Sequence, residues 1–242
     1  MQTANLQIVP ITSPEQYRRL RESANVPQFD TRRLTSEQPD AHWVVTREQQ
    51  LTSRCSLWWK NTPKVQGHRL GLIGHYAAAD DDSAAVLLEF VCRRLVASGC
   101  SMALGPIDQN TWRNYRFVTW DHGRPRFFME PANSPPWPRQ FLDDGFHEVA
   151  RYFSARVDDL TIESPRLQSA RDRMNELDVR IRPLRKERLE SDLKQIYSVS
   201  RDAFQSHLFY DPIQEADFLQ HYLPLETLIL PELIPVSYTH LT

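Results

Sequence analysis

Glycine is scarce, at 7 residues of 242 against 17 prolines. Such a chain has few positions where the backbone turns left-handed or lies flat against a ligand, and many of its loops are stiff. Cysteine is scarcer still. Cys55, Cys92 and Cys100 show no CxxC spacing and no histidine pair nearby, so neither a disulfide framework nor a metal site is expected. They read as reduced, partly buried thiols of a cytoplasmic protein. Charge of one sign is missing too: 29 basic and 31 acidic residues leave a net charge of −2, with no Lys/Arg run. Neither nucleic acid nor a membrane surface is therefore an expected partner. No apolar stretch approaches the ~20 residues of a membrane span, and residues 1–15 carry no signal-peptide core. GxSxG and GxxxxGK[ST] are absent, which leaves serine-hydrolase and P-loop chemistry without a motif, although Ser56, Ser83 and Ser101 are present. The eight histidines show no metal-binding spacing. His75, beside Tyr76 in a core strand, is the one to watch, with a satisfied structural histidine as its alternative.

What the chain does contain is organised around His68–Arg116. HRLGLIGHYAAADDD begins with short apolar runs around glycines, as a buried strand does. In the next piece Ala84, Leu87, Leu88, Val91 and Leu95 recur at helical spacing, Asp82 or Ser83 can cap the start, and Gly99 can end it. SMAL is a second short strand that breaks at Gly105-Pro106. Strand, helix and strand with short links make a βαβ unit with parallel strands.

Before this unit, Leu6–Ile11 reads as a strand and Pro14–Ala24 as a helix with Tyr17, Leu20 and Ala24 on one side. Residues 25–40 read as a loop or short helix. Ala41–Thr46 and Cys55–Lys60 form a hairpin around a polar stretch. After it, Arg139–Asp144 reads as a short helix ending at Gly145, and His147–Ser154 alternates like a strand. Residues 158–178 are charged and read as a linker or linking helix. Val179–Leu184 then repeats the spacing of Leu6–Ile11, and a helical segment with Leu189, Leu193, Ile196 and Tyr197 comes next. This suggests a second domain over residues 179–234 in which only the opening elements fit. Residues 235–242, PVSYTHLT, resemble a translated sequencing-adapter tail and are set aside as an assembly artefact; an ordinary edge strand is the alternative.

Two constellations invite a functional reading. Gly105–Arg116 lies beyond the C-terminal end of a core strand, where α/β sheets bind ligands. There Asp108, Asn110 and Arg116 could orient a polar substrate while Trp112 and Tyr115 wall it. The alternative is a turn in which Asp108 and Asn110 cap the next helix and the aromatics pack. In the proline-stiffened loop around Phe127, Phe128, Met129, Trp137 and Phe141, Glu130 could serve as a base for an amine if burial raised its pKa. Otherwise the loop simply seals a core.

With these elements placed, the order β-α-(α)-β-β-β-α-β-α-β over residues 1–157 resembles the GNAT-type N-acetyltransferase fold. IGHYAAADDDSAAVLL, GPIDQNTWRNYRFVT and FFMEPANSPPWPRQFLDDGF are similar to stretches of bacterial proteins with two GNAT-like halves. The resemblance implies an α/β (α+β) fold with a mixed, mainly antiparallel sheet around the βαβ unit, followed by a partial second repeat. It also implies acetyl-CoA as cofactor and acyl transfer to a small-molecule amine. In the family, an Arg/Gln-x-x-Gly-x-Gly/Ala loop receives the pyrophosphate at the helix N-terminus. The equivalent here would be Ala78, Ala79, Asp80, Asp81, Asp82, Ser83 and Ala84, which has no glycine and three carboxylates. The first half therefore reads as degenerate for coenzyme A, and a non-catalytic scaffold or ligand-binding module supporting a second catalytic half is the alternative function. Packing against such a half, or self-association, is the expected protein contact.

Overall fold

The computed structural model describes residues 5–156, 159, 161 and 165–238. It divides into two compact units, Met1–Ala150 with Leu208–Asp211, and Arg151–His207 with Pro212–Thr242. The chain is thus a mixed α/β protein built on an open, mainly antiparallel sheet. The boundary expected at 157/158 falls on residues outside those described.

In the first unit β1 (Leu6–Ile11) pairs antiparallel with β3 (Ala41–Arg47), from Leu6 opposite Arg47 to Ile11 opposite His42. Gln16 finishes this outer edge: its Nε2 donates to the Pro10 carbonyl at 3.0 Å, and its Oε1 accepts the Thr12 N–H at 2.8 Å. Helix α1 (Pro14–Arg18) is capped by Ser13, with Pro14 in its first turn. It spans five residues rather than reaching Ala24, because Arg21–Glu22 (β2) leaves to pair in parallel with Gln50 and Leu51. Tyr17 is buried as expected; Ala24 is exposed. The loop after β2 holds one short helix, α2 (Arg33–Ser36).

The hairpin is tighter than its sequence suggests. β4 runs from Gln50 to Trp58, and the turn is only Glu48-Gln49, both left-handed at φ 50° and 65°. The polar stretch expected to be a loop is buried strand because its side chains find partners. Ser53 Oγ donates to the Ser83 carbonyl at 2.9 Å, and Arg54 Nη1 donates to the Pro27 carbonyl at 2.8 Å.

β5 (Leu70–Ala78), α3 (Asp81–Ala97) and β6 (Met102–Leu104) form the βαβ unit, with β6 parallel to β5 from Leu70 opposite Met102 to Leu72 opposite Leu104. The sheet order is β1-β3-β4-β5-β6, with β2 beside β4. Ala84, Leu87, Leu88, Val91 and Leu95 are all buried against the sheet. Each of the larger ones contributes about 1.5–3 kcal/mol by leaving water. The cap is Asp80, not Asp82 or Ser83: its carboxylate accepts the Ser83 N–H at 2.8 Å from an extended backbone. Gly99, at φ 83°, ends the helix as expected.

Beyond β6 the gap beside the end of β5 is filled by α4 (Trp137–Asp143). Trp137 Nε1 donates to the Ala78 carbonyl at 2.9 Å, Tyr76 donates to Gln140 Oε1 at 2.9 Å, and the Phe141 ring lies 4.8 Å from that of Tyr76. His147–Ser154 forms no strand and stays exposed, since alternation specifies a strand only where a sheet edge is there to receive it.

In the second unit, α5 (Pro165–Glu176) buries none of its residues. β7 (Arg180–Pro183) precedes α6 (Leu189–Phe204), which buries Leu189, Asp192 and Leu193. Arg182 grips Asp192 through both Nη atoms, at 3.0 and 2.7 Å. After α7 (Glu215–Tyr222), the backbone of β8 (Pro235–Tyr238) pairs antiparallel with β7, so these four residues take the edge-strand alternative. Residues 239–242 lie outside those described. Among the described residues no helix is long and apolar enough to cross a membrane.

Candidate functional site

The sheet is interrupted where β4 meets β5. Arg54 faces Ala77 and Ser56 faces Gly74, so His75 and Tyr76 together oppose the single residue Cys55. This is a bulge, and His75 sits in it with φ 51°. On a flat strand neighbours point to opposite faces; the left-handed turn re-aims the imidazole toward the face that carries Ser56. Gly74 makes this possible. A Cβ there would meet the Ile107 carbonyl oxygen at 2.3 Å and Asp108 Oδ1 at 2.6 Å.

The result is a buried line of polar side chains across three strands. Glu37 Oε2 lies 2.8 Å from His75 Nε2, His75 Nδ1 lies 2.8 Å from Ser56 Oγ, and Ser56 Oγ lies 2.7 Å from His42 Nδ1. Ionic partners close around its first member. Glu37 Oε1 receives Arg33 Nε and Arg113 Nη1, each at 2.7 Å. Arg33 Nη2 reaches Asp108 Oδ2 at 2.7 Å, and Asp108 Oδ1 accepts the His75 backbone N–H at 2.6 Å. Two carboxylates and two guanidiniums thus balance in charge, and each carboxylate is hydrogen-bonded, as buried charge requires.

Electrostatics follow from this packing. Burial would raise the Glu37 carboxyl, but the hydrogen bonds from His75 and Arg33, with the Arg33 charge, outweigh it and hold it at about 2. Burial pushes His42 well below the usual imidazole range, with His75 and Arg54 adding to the effect. The Arg54 guanidinium is also lowered by burial; it lies 5.0 Å over the Phe29 ring and 3.7 Å from Glu22. Phe29 roofs the line, stacked 5.4 Å from His42 and tilted 5.0 Å from His75.

Of the residues expected to bind substrate, the structure brings Asp108 into this cluster. Asn110 is buried beside it and accepts the Trp112 N–H at 3.0 Å, an Asx turn; no helix begins there, so the turn of the alternative reading is present and the helix cap is not. Trp112 Nε1 donates to the Asp211 carbonyl at 3.2 Å within the same unit. The Arg116 guanidinium lies 4.9 Å over Tyr115 and donates to its hydroxyl, so these two are engaged with each other. Glu130 takes a different place: its Oε2 accepts the Phe127 N–H at 3.1 Å in a turn whose Phe127, Phe128 and Met129 are exposed. The loop around it therefore does not seal a core at those three side chains.

Sequence reasoning named His75 but missed Glu37, Arg33, Arg113 and His42, and mentioned Ser56 only as lacking a hydrolase motif. One local signal existed, the Arg33/Glu37 spacing of four residues.

The stretch expected to receive coenzyme A is held by contacts within the chain. Ala78 and Ala84 are buried, and the Ala79 N–H is given to the Thr52 carbonyl. Asp80 occupies the amide of the first helical turn and pairs with Arg47 at 3.0 Å, while Asp81 pairs with Arg139 and Gln140. Asp82 is exposed and Ser83 is buried. A carboxylate already stands where an anion would bind, and further negative charge is opposed there. An open depression of about 420 Å³ lies at this end of β5, lined by Ala24, Asn25, Pro27, Ala78, Ala79, Ser134 and Pro136. Among the described residues, no group of three or more His, Cys, Asp or Glu side chains could hold a metal ion. Compared with known proteins, the chain matches no family model and no curated sequence.

Proposed function

We propose that residues 1–150 form a GNAT-like domain that works as a non-catalytic scaffold or ligand-binding module, supporting acyl transfer by a second GNAT-like half. The mixed, mainly antiparallel sheet with its parallel βαβ unit supports the GNAT-like reading. One observation carries the non-catalytic reading: the Asp80 carboxylate accepts the Ser83 N–H at 2.8 Å, in the first turn of α3 where a pyrophosphate would need that amide. The filling of the gap beside β5 by Trp137 and Phe141 agrees with it. Calorimetric titration of acetyl-CoA into the full chain tests the proposal, and no saturable heat is expected. Saturable binding that disappears with an analogue lacking the pyrophosphate would overturn it.

A second reading, a GNAT-like N-acetyltransferase moving the acetyl group of acetyl-CoA to a small-molecule amine, is favoured by the open depression. That depression borders Ala78 and Ala79 and offers room at the end of β5. Acetyl transfer to any of a panel of amines by the purified chain would select this reading over the first.

A further inference from the structure

The line from Glu37 to His42 has a direction. The Glu37 carboxylate only accepts, so the His75 nitrogen facing it, Nε2, carries a proton. In the uncharged ring Nδ1 is then a lone pair, and the Ser56 hydroxyl donates to it. Ser56 has only lone pairs left for His42, so His42 donates from Nδ1–H. This leaves His42 Nε2 as a bare lone pair, fully enclosed and without a hydrogen-bond partner among the described residues. Two costs meet here: a buried nitrogen without a partner, and a left-handed histidine inside a strand. An apolar core would need neither.

We propose that Glu37, His75, Ser56 and His42 form a proton relay whose open end is His42 Nε2, which takes a small ligand presenting an N–H or O–H donor when the roof over it lifts. The transfer balances. The ligand's proton goes to His42 Nε2, the His42 Nδ1 proton to Ser56 Oγ, and the Ser56 hydroxyl proton to His75 Nδ1. His75 ends as an imidazolium still facing Glu37; only N–H and O–H bonds change, and no electron moves. The Tyr17 and Phe29 rings pack against the His42 ring that carries the open end, with Tyr17 donating to Glu22 at 2.6 Å and Arg54 lying over Phe29. The roof is the segment carrying Phe29, and its Pro27 also lines the open depression, so this segment borders that open space. The relay does not depend on whether coenzyme A binds.

Nitrogen-15 NMR of the histidines in the full chain tests the relay. The expected pattern is His42 protonated at Nδ1 and His75 at Nε2. In Glu37→Gln the side-chain amide N–H faces His75 Nε2, every donor reverses, and His42 flips to Nε2–H three links away. Diethyl pyrocarbonate, which attacks a bare imidazole nitrogen, probes the open end. In Phe29→Ala, peptide mass spectrometry should show His42 modified at least ~10-fold faster than in the unsubstituted chain, with His75 unmodified. The proposal fails if unsubstituted His42 is protonated at Nε2, or if folded Glu37→Gln leaves the His42 tautomer unchanged. It also fails if His42 of Phe29→Ala stays unmodified while the exposed His68 and His122 react fully. Should either variant not fold, the tautomers of the unsubstituted chain decide alone.

Discussion

Lowering the pH from 7 to 3 should remove about 2 kcal/mol of stability from the first unit through Glu37 alone. The side chain is 3% exposed, and its carboxyl is held at about 2 against an ordinary 4.5. That difference corresponds to about 3 kcal/mol of folded-state preference for the ionised form. Because the folded value lies below the unfolded one, the contribution is complete above about pH 4.5 and drains away as the pH falls toward about 2. At pH 3 about two-thirds of it has gone. All six tryptophans lie at or before Trp137, so tryptophan fluorescence in urea follows the first unit even if the second unfolds separately. Other carboxylates contribute to the acid slope, so Glu37→Gln supplies the comparison. The variant should start lower at pH 7, by about 3 kcal/mol, because it takes the charge partner from Arg113 and leaves Arg33 with Asp108 alone. Between pH 7 and 3 it should lose about 2 kcal/mol less than the unsubstituted chain. Equal slopes for the two proteins would refute the reasoning.

Gly74→Ala should cost about 3 kcal/mol in the same fluorescence assay, because the new Cβ would overlap the backbone of Ile107 and the Asp108 carboxylate, which are hard to displace. Replacing Glu48-Gln49 by Asn-Gly should raise stability by about 1 kcal/mol, since both positions are left-handed; an unchanged urea midpoint would speak against that turn. Asp192→Asn should weaken the second unit by about 2 kcal/mol, because the buried Asp192 carboxylate is the charge partner of the half-buried Arg182. Hydrogen exchange should then show loss of protection in α6 amides, with α3 unaffected.

The helical period of α3 was legible from the sequence, while the alternation of His147–Ser154 was not a strand. The apolar spacing of α3 names its buried face residue by residue, and Gly99 and Gly145 mark their turns. What was hidden depends on partners distant along the chain. The first half of β4 looked polar because Ser53 and Arg54 find their hydrogen bonds only once α3 and the Pro27 loop are in place. Three consecutive aspartates concealed which of them caps, since the choice rests on the extended backbone of Asp80. The polar cluster joins residues 37, 75 and 113, so no local window contains it. His75 could be singled out, but the bulge that turns it toward Ser56 is a property of register, not of composition.

The Gln16 clasp on β1 bears on how the protein behaves at high concentration. An outer strand offers alternating donors and acceptors to any extended chain it meets, which is how sheets grow into fibrils. At the end of β1, Pro10 has no N–H to offer, its carbonyl is taken by Gln16 Nε2, and the Thr12 N–H is taken by Gln16 Oε1. One glutamine and one proline thus remove two docking points and a third that proline never had. The edge is finished as a selvedge is, by turning the last thread back into the cloth.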